Sequence, residues 1–387
     1  MSLFAPFPQQ SLMRATHAVR AQFFIAGALF ATWGIHVPTV KQHYGLGEQA
    51  LAMAMLASGV GAVATLTQAG RIVGLGGARR VGIAAGVLCA ASLVGLLASQ
   101  SYWVLVALLI AFGVGMSLFD VSINTAASEI ETLRKRSLMS GFHGMFSLGG
   151  MVGAGFGSVL LSRGVSPEAH LVVTSLASGV LVLVAGVSML PTVAGSSQQG
   201  HGLAWPRGVL GLLGVLAALG LIAEGAMYDW SVLYMTQELK SAPDFAALAY
   251  ASFSGAMAAA RFGGDWVRDR VTPAVLMSSS AALAAVSMTA VLLIAHPVAT
   301  LIGFALVGLG FANVVPVLFG SAAKLDANPA HGIAVVASVG YFGMMAGPPL
   351  IGVIAEHSSL TIGLTSVAVF AAILGMAAPR ALGSVKR

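Results

Sequence analysis

GVLGLLGVLAALGLIAEGAMYDWSVLYM (208–235) carries only two ionisable residues, Glu224 and Asp229. As a helix rising 1.5 Å per residue it would span about 42 Å, more than the roughly 30 Å of a bilayer's hydrocarbon core. Runs of this kind recur along the whole chain. Across 387 residues, 57% are hydrophobic, 8% are charged and the mean hydropathy is +0.90, against a charged share of roughly 25% in soluble domains. The expected fold class is an all-α integral membrane protein. Twelve spans are predicted, near 17–40, 48–70, 81–99, 103–127, 139–162, 169–190, 208–236, 246–264, 273–295, 298–320, 332–355 and 360–378.

The polar stretch PTVAGSSQQGHGLAWPRG (191–208) has linker composition. It divides the chain into a first six-helix bundle (1–190), a cytoplasmic linker (191–207) and a second six-helix bundle (208–387). An offset of 193 residues lays Gly70 over Gly263, Gly150-Met151 over Gly343-Met344, His36 over Asp229 and Asp120 over Asn313. Polar residues thus fall on equivalent helices of two repeats, as expected if both line one cavity.

With the N-terminus on the cytoplasmic side, sixteen of the nineteen Lys and Arg residues fall inside, leaving Lys41, Arg163 and Lys240 outside. This asymmetry predicts that both termini are cytoplasmic, and it makes the sequence pI near 9.8 a sign of topology rather than of nucleic-acid binding. The opening MSLFAPFPQQSLM lacks the charged start and cleavage site of a signal peptide. Cys89, the single cysteine, permits neither an intramolecular disulfide nor a cysteine metal cluster. No HExxH, Gly-x-Ser-x-Gly or phosphate-loop motif is present, so an enzyme is not expected, and no cofactor or metal is called for.

Carboxylates at bilayer depth are costly and mark pathways. Asp120 lies in FGVGMSLFDVSINTAA (112–127), on one helical face with Ser117 and Asn124, about two turns from the predicted end of its span. The next span should bring His143 to the depth of Asn124 and Ser147 to that of Asp120. Asp120, Glu224, Asp229 and His143 are the proton-coupling candidates. Trp33, His36, Asn124, Tyr228, Trp230, Asn313 and Tyr341 are substrate-binding candidates, since aromatic rings beside amides and carboxylates suit a sugar or other amphipathic solute. The 48 glycines, concentrated in the spans, are expected to serve close helix packing. Pro348-Pro349 should kink the eleventh span. Two Gly/Arg-rich turns, GRIVGLGGARR (70–80) and RFGGDWVRDR (261–270), supply the gate candidates Arg71, Arg79, Arg261, Asp265, Arg268 and Asp269.

The twelve spans, central linker and paired Gly/Arg turns resemble the major facilitator superfamily. Gly70, Gly77 and Arg79 match its loop signature, with Gly74 where an aspartate is expected, and Asp269-Arg270 keeps the signature's core in the second half. FDVSINTAASEIE, MSGFHGMFSLGG, GAMYDWSVLY, RFGGDWVRDR and VGYFGMMAGPPLIG together resemble bacterial relatives of the fucose–galactose–proton symporter group. That resemblance implies alternating access, a central site and proton coupling in a bacterial inner membrane. The expectation is a monomeric secondary transporter of a small polar solute, a sugar or a sugar derivative. The competing expectations are an exporter of amphipathic compounds and a non-transporting receptor.

Overall fold

The computed structural model describes residues 9–136, 138–191, 208–325 and 329–383, without the side chains of residues 265, 329, 330 and 334. The predicted linker therefore lies, apart from Pro191, outside the described residues, as does the side chain of Asp265. Among the described residues there are thirteen helical segments. In the first half these are α1 (Gln9–Tyr44), α2 (Glu48–Gly76), α3 (Ala78–Val94), α4 (Tyr102–Arg134), α5 (Met139–Ser162) and α6 (Pro167–Gly186). The second half holds α7 (Gly208–Gln237), α8 (Pro243–Arg268), α9 (Pro273–Ile294), α10 (Pro297–Phe311), α11 (Val314–Leu325), α12 (Pro329–His357) and α13 (Leu360–Gly383).

Ten spans are long and apolar enough to cross a membrane, with α10 and α11 together forming one of them. The 17-residue α3 and the more polar α8 are the remaining two crossings. Twelve crossings bring Gln9 and Gly383 to one end of the bundle, called here the terminal face.

Several helices outrun their apolar segments. α4 continues to Arg134, which puts Asp120 about 21 Å from its end rather than two turns away. α2 continues to Gly76, so the predicted 70–80 turn shrinks to Gly77, whose φ of +79° is open to glycine and strained for other residues. The tenth span breaks at Ala312-Asn313. Pro316 cannot donate to the Ala312 carbonyl and its ring crowds that position, so the helix is interrupted there and restarts at Val314. α12, by contrast, stays helical through Pro348 and Pro349.

The packing is twofold in pattern. In the first half α1 lies against α5 and α6, α2 against α4, and α3 against α4 and α6. Correspondingly α7 lies against α12 and α13, α8 against α10, and α9 against α10 and α13. The halves meet where α5 runs beside α8 and α2 beside α12, again equivalent pairs. Glycine makes the closest approaches possible: a methyl group at Gly27 would overlap the Phe146 carbonyl, and one at Gly149 the Phe24 carbonyl, so α1 and α5 touch backbone to backbone.

Candidate functional site

The charges predicted to mark a pathway converge at the junction of the halves. Halfway along α7, Glu224 accepts a 3.0 Å hydrogen bond from Arg261 of α8, and both side chains are 12% exposed. The other guanidinium arm donates to Ser147 Oγ of α5 at 2.8 Å, and the Arg261 carbonyl accepts from Ser140 Oγ at 2.8 Å. Arg261 thus ties the two halves together through α5. The sequence placed it in a gate turn at the surface. In the structure α8 runs on to Arg268, so Arg261 lies about 10 Å inside the helix end and is neutralised by Glu224.

Asp120 is exposed although helices surround it, and Tyr341 of α12 lies within electrostatic reach of both Asp120 and Glu224. The carboxylate therefore faces the space between the halves. Its hydrogen-bond partner is Asn124, one turn along α4, at 2.9 Å. Ser147, expected beside Asp120, is instead taken by Arg261. His143, also expected there, stands edge-on to Phe23 with ring centroids 5.3 Å apart and within electrostatic range of Arg261.

Aromatic rings form the wall beyond this polar floor. Tyr228 is buried, with Tyr250, Phe253 and Phe30 at centroid distances of 5.1, 5.0 and 5.8 Å, and its hydroxyl points to Met257 Sδ at 3.4 Å. In the same region Tyr250, against Gly34, presents a buried hydroxyl with no hydrogen-bond partner among the described residues, and Ser254, against Gly150, is a hydrogen-bonding neighbour of the Tyr228 hydroxyl. Buried hydroxyls without partners are costly, so this end of the site is suited to ordered water or to the hydroxyls of a solute.

Toward the opposite face, Asp229 has the Trp33 side chain of α1 as its hydrogen-bonding neighbour across the halves. His36, expected near Asp229 and open to solute, is fully buried within the first half, where its Nε2 lies 2.8 Å from Nδ1 of His170 on α6. His170 was missed in the sequence reading; its signal is a lone imidazole in the apolar run HLVVTSLASGV (170–180). Trp230 is fully buried, with the far edge of its ring against Gly352 of α12. Asn313, at the break between α10 and α11, accepts from Arg268 at 3.3 Å near the terminal face. Arg71 and Asp269 are exposed and Arg79 is half-buried. Among the described residues no cluster of three or more His, Cys, Asp or Glu side chains is placed to hold a metal.

Comparison with known proteins agrees with this architecture. The sequence profile of the Major Facilitator Superfamily matches residues 20–348. An uncharacterized transporter of major facilitator type from Yersinia pestis is 34% identical over 352 residues, covering 91% of each chain. Membrane protein MosC of Rhizobium meliloti is 31% identical, covering 89% of this chain and 84% of the relative. Two solved structures share the fold at low identity. A D-xylose-proton symporter has a TM-score of 0.74 at 13% identity, covering 94% of this chain and 98% of its own. An inward-facing, occupied bacterial homolog of the human lysosomal transporter Spinster has a TM-score of 0.73 at 12% identity, covering 99% of both. With its twelve crossings, its twofold helix packing and these full-length relatives, the chain belongs to the Major Facilitator Superfamily and is a membrane transporter rather than an enzyme.

Proposed function

We propose that this transporter moves a small polar solute, a sugar or sugar derivative, by alternating access, and that a proton accompanies it. The observation that carries this reading is the Glu224–Arg261–Ser147 bridge, a charged pair deep among the helices that joins both halves beside the Asp120-facing space. A proton on Glu224 removes the charge that holds Arg261. The guanidinium then keeps Ser147 and turns its freed arm to a solute hydroxyl, so solute and proton occupy the centre together. Asp120 and Asn124 supply further acceptors and a donor from the first half, and the Tyr228 and Tyr341 rings cover the apolar faces of a sugar.

Residues 1–190 and 208–387 are the two moving bodies, and 191–207 is the linker between them. The positive-inside distribution assigns the terminal face to the cytoplasm, so the protein would sit in a bacterial inner membrane with both termini inside. The sequence resemblance to the fucose–galactose–proton symporter group supports the same direction of coupling.

Purified protein in liposomes loaded with a pH-sensitive dye tests the reading. Presented with a panel of sugars and related solutes and no imposed gradient, at least one should evoke an internal pH change absent from empty vesicles. Silence across the whole panel, from protein whose melting temperature is raised by one of those solutes, would overturn proton coupling.

A further inference from the structure

At the face opposite the termini, the halves are joined by charge. Glu356, in the last turn of α12, places its carboxylate on the first turn of α2, where Oε2 accepts from the backbone N–H of Gln49 at 3.0 Å. That N–H is one of the donors a helix leaves unpaired at its start, and the negative charge also opposes the positive end of the helix dipole. Gly47 makes the approach possible, since a Cβ there would lie 2.9 Å from the same oxygen. A second clasp stands a turn away. Lys41, in the last turn of α1, pairs with Glu48 at 2.6 Å, and the pair is largely shielded, with side chains 14% and 23% exposed. Gln237, at the end of α7 in the other half, fits between them with its nitrogen donating to Glu48 at 3.2 Å and its oxygen accepting from Lys41. Lys41 and Gln237 also border a cavity of about 730 Å³ between the halves on this face.

We propose that Glu356 on α2 and Gln237 in the Lys41–Glu48 pair form a two-point latch that holds this face shut while the space around Asp120 is open to the other side. Each point joins a helix end of one half to a helix end of the other. Both would separate if α7 and α12 swung away from α1 and α2, the motion that opens this mouth. The bonds are few and the Glu356–Gln49 contact is exposed to water, so they bias the balance of the two conformations without locking it. The proposal rests on the alternating-access reading and needs neither a solute nor a proton.

Spin labels at Gln42→Cys and Ala242→Cys, both exposed and on opposite halves, report the width of this mouth by electron–electron distance measurement in lipid nanodiscs. Glu356→Ala should raise the fraction of long distances about threefold or more, Glu356→Gln should raise it less, and adding Glu48→Gln to either should raise it further. Unchanged distances in Glu356→Ala would overturn the proposal. If that variant fails to fold, Glu356→Gln, which keeps the side-chain volume, decides in the same way. Silence of every solute in the liposome experiment would leave this result standing, because the distances report the position of the halves directly.

Discussion

Arg261 bears most on how the centre works, because among the described residues its charge has one carboxylate partner, Glu224, and little water. Removing one member of a buried ion pair leaves the other charge uncompensated, at a cost of about 3–5 kcal/mol. Arg261→Met should therefore lower stability by about that amount in denaturant titrations in detergent, whereas the double variant Arg261→Met with Glu224→Gln should recover most of it. A single variant as stable as the parent would remove Arg261 from the centre. Glu224→Gln alone keeps the volume and discards the proton site. It should abolish pH-driven accumulation, cutting it more than about tenfold, while solute exchange across the bilayer persists. Asp120→Asn tests the second carboxylate: if the proton dependence of uptake survives unchanged, Asp120 serves the solute alone. The three intramembrane carboxylates were legible because charges stand out in apolar runs. Their partners were not. Arg261 sits in a string of cations that the inner-surface rule already accounts for, and His170 finds His36 only once α6 folds back on α1.

At the scale of the helices, the apolar runs predicted the crossings but not their ends. Hydropathy falls where lipid stops, whereas a helix continues until a residue stops it: Gly77 ends α2, and Lys135 in a left-handed conformation ends α4. Pro316 is one proline among several in the apolar runs, and breaking the tenth span depends on its place one turn after Ala312. Pro348-Pro349 show that the same residue type can be carried within a continuous helix, so proline alone does not forecast a break. The glycine reading fares better, since α1 and α5 touch only because Gly27 and Gly149 lack side chains. Gly149→Leu should accordingly abolish the monodisperse folded protein in size-exclusion chromatography, whereas Gly155→Leu, at a position with open space around it, should leave it intact.

For the whole molecule, the arrangement of exposed and buried polar residues forecasts which side reaches the centre. Asn124 is half-exposed beside Asp120, while Ser231 on the opposite side of the centre is fully buried. Asn124→Cys should react with a membrane-impermeant maleimide applied from the terminal face, and Ser231→Cys should resist the reagent applied from the other; the reverse pattern would refute an opening toward the termini. The offset of 193 residues that relates the two halves also sets Ala31 beneath Glu224 and Gln68 beneath Arg261, while Asp120 lies over Asn313. The symmetry that builds the scaffold is therefore not a symmetry of its chemistry. A hypothetical assembly of two first halves would keep the same main pattern of helix neighbours yet place a pair of aspartates and no guanidinium at the centre; two second halves would place paired ions there and no counterpart of Asp120. Only the unlike pairing completes the set, so neither half could be exchanged for a second copy of the other without losing part of the centre.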